Sequence, residues 1–350
     1  MSVSALLIFC AMISLLFLPA PALAGARTGL ELFLQSILPS LLPFWVGCKL
    51  LDQLGLVSWA SIRVEKLTDR LLGCRGEAAY PLVMGLLSGF PTGARLTAQL
   101  VAQKRLSVPE AQRLLPFCTA CSPMFAIGTV GAAFWGDAKS GALLLLCHYV
   151  ALLSVAMVFR GHGRAQSHAP QPTAARTVGF GSALGSAMGE AMPILWQVGG
   201  FIILFSAMIQ VLLALGLSSW LPEWGAALLG GLLEMSNGCR AATAGGLTPL
   251  SAGLVCAILS FSGLCIHAQS AAFLRAAGVP MGRYFAAKAC QGAVGFAVAY
   301  GAFSYLMPCL PAVSGALPRW DINLATAWVA LGIGALLCAL AARPKCQKQR

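Results

Sequence analysis

The sequence predicts an all-α fold: a polytopic membrane helical bundle with two inverted-topology repeats, broken helices and re-entrant hairpins. Three observations predict it. Of 350 residues, 58% are hydrophobic and only 10% are charged, and the mean hydropathy is +0.81; a soluble domain carries about 25% charged residues. Apolar runs long enough for a bilayer span, roughly 20 residues, recur along the chain. Polar breaks rich in Gly and Pro interrupt those runs, at matching places in the two halves of the sequence.

Taken in order, residues 1–28 read as an N-terminal transmembrane helix, from about Val3 to Leu18, that stops at Pro19. Pro21-Ala22-Leu23-Ala24 resembles a cleavage site, but the preceding segment lacks Lys and Arg, so a retained helix is expected. A first repeat spans 29–160. It opens with a helix from Gly29 to Leu56, kinked at Pro39 and Pro43. The charged stretch 62–78, with Val64, Leu67, Leu71 and Leu72 at helical spacing, reads as an interfacial amphipathic helix.

Apolar helix then leads into the first break, Ser88-Gly89-Phe90-Pro91-Thr92-Gly93-Ala94-Arg95, and out again to Gln103. Lys104, Arg105 and Arg113 follow, so basic residues flank the broken segment on both sides, as in a re-entrant hairpin. Ser107, Pro109 and Glu110 signal a helix start. That helix meets a third break at Thr119-Ala120-Cys121-Ser122-Pro123 and resumes from Met124 to Phe134. A clean span from Gly141 to Phe159 closes the repeat.

Residues 161–178 read as a cytoplasmic linker, with His162 and His168 taken as solvated. The second repeat, 179–310, follows the same plan. Glu190 to Leu217 parallels the Pro-kinked helix through Pro193, and Leu221 to Leu233 leads into the second break, Glu234-Met235-Ser236-Asn237-Gly238-Cys239-Arg240. Leu250 to Phe261 leads into the fourth, Ser262 to Gln269. Gly93 and Gly238 stand 145 residues apart, Phe117 and Phe261 144, Cys147 and Cys290 143. Near-constant offsets are the mark of a duplication. Residues 311–350 supply a final transmembrane helix, Leu324 to Leu340, and a basic tail.

The formal net charge of +12 fits the positive-inside rule better than nucleic-acid binding, because the basic residues fall in short loops and the tail. The loop at 135–140 carries one acid and one base, whereas its counterpart near 275–283 carries Arg275 and Arg283, with Lys288 just beyond. The charged stretch 62–78 answers to a nearly uncharged region near 207–222. Opposite loop charge in matched segments is what inverted halves produce. Eight spans with cytoplasmic ends follow.

The 13 cysteines lie mostly in apolar runs, which implies no disulfide framework. Cys118 and Cys121 have CxxC spacing without a second pair, so both read as small hydrophobes and no metal is expected. No Walker loop, Rossmann fingerprint or HExxH occurs, so no cofactor is implied and an enzyme is not expected.

Paired broken segments point to a transporter's binding site. Glu234 and Arg240 are ionisable within or beside apolar sequence, where such groups are costly and usually functional. Arg95 follows the first break as Arg240 follows the second, and an arginine fork suits a carboxylate. Half-helices starting near Gly93 and Gly238 present free N–H groups. Ser88, Thr92, Ser236 and Asn237 add neutral hydrogen-bonding groups, and Thr119, Ser122 and Ser262 complete the shell. His267 and Gln269 lie beyond the fourth break, with His267 a candidate protonation switch. Each of these also has a plainer reading, as a helix cap, an interhelical hydrogen bond or a satisfied bundle histidine. Trp45, Trp196 and Trp224 are candidates for stacking, or for interface belts.

At Leu38-Pro39-Ser40-Leu41-Leu42-Pro43-Phe44, Gly85 to Ala94, Cys121-Ser122-Pro123-Met124-Phe125 and Leu233 to Gly238, the chain resembles the sporulation integral membrane protein YlbJ family. The resemblance covers about residues 30–310. It implies the nucleoside-recognition gate module, a role in endospore formation and transport of dipicolinate, a small aromatic dicarboxylate. The expected partners are the lipid bilayer and a small anionic substrate, with self-association left open and no nucleic acid. A non-transporting scaffold for spore envelope assembly and a nucleoside carrier are the competing readings. Paired internal breaks favour a carrier, because a scaffold needs no polar midplane.

Overall fold

A computed structural model describes residues 12–53, 59, 62–64, 66, 68, 69, 72–74, 76–159, 180–216 and 220–306. The linker at 161–178, the final span and tail, and the start of the first helix lie outside these residues. So do residues 65, 67, 70, 71 and 75 of the stretch 62–78. Among the described residues every regular element is helical, as the composition requires: in lipid each backbone N–H and C=O must be satisfied within its own segment.

Residues 12–17 are helical and bend at Leu18, directly before Pro19, where the proline ring disfavours helical geometry. Pro19 then opens α1, Pro19–Leu32. This differs from the predicted start at Gly29. Proline at the first helical turn costs nothing, because its missing N–H would be unpaired there. A π-helical segment, Phe33–Ile37, joins α1 to α2, Leu38–Gln53. Pro39 has no N–H to give the Gln35 carbonyl four residues back, and the Leu38 N–H bonds the Phe33 carbonyl five residues back. The predicted kink is therefore taken up as a local expansion.

All four predicted breaks are present, but the second narrows to Glu234 and the fourth to Ser262, with helix resuming at Met235 and Gly263. α3, Ala79–Ser88, and α4, Thr92–Ala102, flank the first. Each is roughly 15 Å long at 1.5 Å per residue, half a bilayer. α5, Val108–Cys118, starts after the predicted N-cap Ser107, which forms a capping box: Glu110 Oε2 accepts from the Ser107 backbone at 3.0 Å and from its hydroxyl at 2.6 Å. After the extended residues 119–122 a second π-helical segment runs Met124–Trp135. α6, Ala138–Phe159, follows. The second half repeats this succession: α7 Phe180–Ala214, α8 Glu223–Leu233, α9 Met235–Thr243, α10 Pro249–Phe261, α11 Gly263–Ala276 and α12 Gly282–Leu306.

Four described helical stretches are long and apolar enough to cross a membrane: 19–53, 138–159, 180–214 and 249–276. Leu146, Val150 and Leu153 lie exposed on α6 at one-face spacing, as lipid-facing residues do.

Packing across the halves is reciprocal. α4 packs on α11, and the second π segment packs on α9; α5 packs on α12, and α10 packs on α6. By order along the chain, α4 corresponds to α9, the π segment to α11, α5 to α10 and α6 to α12. Each contact therefore has its counterpart with the roles exchanged, which is the signature of a two-fold relation. Two glycine pairs permit the close approach within each broken hairpin. A methyl group at Gly85 or Gly93 would collide with the Cys118 carbonyl, and one at Gly238 with the Gly231 backbone.

Lys288 corrects the charge reading of the loops. It belongs to the interior of α12 and is fully buried, so it is no marker of a membrane face.

Candidate functional site

Four breaks meet around one buried cavity of about 50 Å³. The first contributes Ser88 and Phe90, the third Cys121 and Ser122, the second Glu234, Met235 and Ser236, and the turn after the fourth Cys265, Ile266 and Gln269. Ile37, Leu41, Val198 and Ile202 wall it with apolar surface from the π-interrupted α1–α2 unit and α7. A volume of this size holds about three to five waters at roughly 10–15 Å³ each. Ligand pockets run to about 300–1,000 Å³, so in the described conformation the space is smaller than an organic substrate needs.

Glu234 sits between α8 and α9 in extended backbone. Its carboxylate accepts from the Ser236 N–H at 3.0 Å, the Asn237 N–H at 2.7 Å and Asn237 Nδ2 at 2.9 Å. An acid at a helix start suits both the free N–H groups and the dipole. Glu234 thus orders the second break, and it also faces the cavity. Asn237 reaches across to Ser206 Oγ on α7 at 2.6 Å.

The third break is ordered differently. Ser122 Oγ accepts from the Phe125 N–H at 3.2 Å, while the Cys121 N–H donates to His148 Nε2 at 3.1 Å. Thr119 turns its hydroxyl back to the Leu115 carbonyl at 2.6 Å. At the first break the Trp45 indole N–H donates to the Ser88 carbonyl at 2.5 Å. Trp45 is therefore a buried brace, and neither it nor the exposed Trp196 and Trp224 lines the cavity.

Of the residues singled out from sequence, Ser88, Ser122, Glu234, Ser236 and Gln269 line the cavity. Thr92, Gly93, Thr119, Asn237, Ser262 and His267 lie beside the breaks without lining it. Arg95 and Arg240 are not brought to it: Arg95 is half-buried, within electrostatic range of Tyr80, and Arg240 is exposed in the last turn of α9. The pattern of burial explains this. On α4, Arg95, Gln99 and Ala102 form the less buried stripe, and on α9 Asn237, Arg240 and Ala241 do the same. One turn past a break fixes height along the helix, not direction around it.

The cation that sequence reasoning missed is Lys288. Its Nζ donates to the Thr119 carbonyl at 2.6 Å and to Gln291 Oε1 at 3.0 Å, and it lies 5.1 Å from the Phe90 ring centroid. A signal existed: Tyr284, Lys288, Gln291 and Gly295 follow the i, i+4, i+7, i+11 spacing of one buried face.

No protein-family model matches the chain, and no solved structure does. It is similar to sporulation integral membrane protein YlbJ of Bacillus subtilis (strain 168), with 30% identity over 308 residues covering 78% of this chain and 76% of that protein. A likeness of that extent, over a chain built of apolar helices with ordered breaks, settles the kinship: the chain belongs to the YlbJ family of sporulation integral membrane proteins.

Proposed function

We propose that this protein is a secondary transporter of a small organic anion, acting in endospore formation from a membrane surrounding the forespore, with dipicolinate the substrate that the family resemblance implies. One observation carries the reading. Four separate helix breaks, two from each half, converge on one buried cavity furnished with Ser88, Ser122, Glu234, Ser236 and Gln269. Unwound backbone at membrane depth is kept only where it lines a cavity or is buried in protein, and paired breaks at a repeat interface are the architecture of alternating-access carriers. The reciprocal packing of the halves supports a rocking motion of one against the other, with the halves inverted in the membrane. The small volume of the cavity supports a state without room for substrate, which such a cycle contains.

The test is uptake of labelled dipicolinate, a monocarboxylate and a nucleoside into proteoliposomes holding the purified full chain. Saturable uptake of the dicarboxylate, lost on Ser88→Trp, is the expected result. Preferential nucleoside uptake would make this a nucleoside carrier. No uptake of any of the three, with correctly folded protein, would leave the scaffold reading.

A further inference from the structure

Behind the cavity, α11 and α12 hold a second group of buried polar side chains. The Lys288 ammonium is fully buried, and both of its acceptors, Thr119 O and Gln291 Oε1, are neutral. Among the described residues the salt bridges are Lys49–Glu190 and Arg105–Glu77, so Lys288 has no carboxylate partner there. Beside it, both ring nitrogens of His267, Ser270 Oγ and Tyr284 Oη are buried without a hydrogen-bond partner. These groups are neighbours. The His267 and Tyr284 rings stand 5.3 Å apart; Tyr284 lies close to Ser270 and Thr119, and His267 to the Phe261 backbone, each short of full hydrogen-bond geometry.

Capping explains part of this. Lys288 meets a carbonyl just past the C-terminal end of α5, where a cation is favourable. Yet Gln291 does the same for the Pro116 carbonyl at 2.9 Å with a neutral amide. A cap alone does not call for a full charge, which is costly against neutral acceptors in an apolar interior. The inventory of the group is the better guide. An ammonium has three donors and no acceptor, and Tyr, Ser and His each add an N–H or O–H. Donors gathered on a cation, with no carboxylate among them, are what an anion needs.

We propose that Lys288, His267, Ser270 and Tyr284 form a binding site for one small anion of carboxylate or halide size, entered from the Glu234-lined cavity past Phe90. Phe90 lines the cavity, and its ring centroid lies 5.1 Å from the Lys288 ammonium, so it stands between the cavity and the second group. α11 serves both: Cys265 and Gln269 face the cavity, while His267 and Ser270 belong to the second group. The site stands independently of transport, because occupancy is measurable without it.

The experiment is thermal unfolding of the purified full chain in detergent, titrated with chloride, acetate or dipicolinate at constant ionic strength made up with a bulky sulfonate. A saturable rise in Tm is expected for wild type. Lys288→Met removes the charge while keeping an apolar chain of similar length, a change that buried charges often tolerate. It should weaken the anion at least about tenfold, the lower end for a charged hydrogen bond. Tyr284→Phe and Ser270→Ala, which keep the packing, should weaken it less, and they carry the test if Lys288→Met does not fold. A response to chloride alone assigns the site to an inorganic ion; a response to acetate and dipicolinate assigns it to a substrate carboxylate. No saturable shift with any of the three, or wild-type affinity in all the variants, overturns the proposal. Saturable binding without uptake in proteoliposomes would defeat the transport reading and leave this site standing, whereas uptake with variant affinities unchanged would do the reverse.

Discussion

His148 on α6 and Ser260 on α10 meet across the two halves, Nδ1 to Oγ, at 2.9 Å. Because Nε2 of the same ring accepts from the Cys121 N–H, the neutral imidazole carries its proton on Nδ1 and donates it to Ser260. The mirror contact also exists: Gln291 on α12 donates to the Pro116 carbonyl on α5. His148 and Gln291 occupy matching places in the two halves, and so do Ser260 and Pro116. Matching pairs are thus bonded in both halves, once through a hydroxyl and once through a backbone carbonyl.

His148→Leu should leave the Cys121 N–H and the Ser260 hydroxyl buried and unpaired. The expected loss is about 1–3 kcal/mol for each such group. His148→Gln, which keeps an acceptor and a donor, should lose less. Thermal unfolding of the three proteins checks the order, and equal Tm values for Leu and Gln would refute it.

Glu234→Gln retains one acceptor but turns an NH₂ toward the other N–H group at the start of α9. The second break should loosen, at a cost of about 1–3 kcal/mol. If Glu234 also carries a coupling proton, uptake should lose its pH dependence in this variant. Transport and pH profile both surviving unchanged would exclude that role.

Gly93→Ala places a methyl group against the Cys118 carbonyl oxygen, a backbone atom that cannot swing aside. Gly200→Ala, in α7, meets nothing within 4 Å. The first variant should fail to accumulate as a folded protein. The second should match wild type in yield and in its elution on size exclusion.

Asp137 predicts a pH effect outside the spans. The Ser140 hydroxyl, with the N–H groups of Ser140 and Lys139, holds its carboxyl below the ordinary carboxylate range. A lowered folded value means stabilisation that is fully present above the unfolded value of about 3.9. It is lost as pH falls through the lowered one. Asp137 is partly exposed, so the effect is modest, near the ~1 kcal/mol of a helix start. The stability difference between wild type and Asp137→Ala, followed from pH 6 to pH 3, should shrink at the acid end. A constant difference would mean the charge plays no part.

The breaks were legible because Gly and Pro act locally: Gly89 and Pro91 interrupt the helix between Ser88 and Thr92, and polar residues around Gly238 marked the second interruption, which the structure confines to Glu234. The polar residues inside them, Ser88, Ser122, Glu234 and Ser236, were legible for the same reason. What sequence misplaced were residues one turn away. Arg95 and Arg240 have the right height and the wrong face, and only neighbouring burial reveals it. Lys288 failed for another reason. It lies five residues after Arg283, so it read as loop charge, although its spacing with Tyr284 and Gln291 places it on the buried stripe. Ser206 and His148 had no local signal, since their partners are distant in sequence.

The exchange of partners between the halves also orders events during synthesis. α4 is complete at Ala102, but its partner α11 begins only at Gly263. At about 5–20 residues per second, the first broken hairpin waits roughly ten to thirty seconds in the membrane before the surface it packs on exists. The π segment waits likewise for α9. Through that interval the first and third breaks hold their polar groups without their final neighbours. Chains terminated before Gly263 lack Cys265, Ile266 and Gln269 and cannot enclose the cavity at all. The site is therefore incomplete until Gln269 has been added, and a product truncated before Gly263 would sit in the bilayer as an apolar, helical bundle without it.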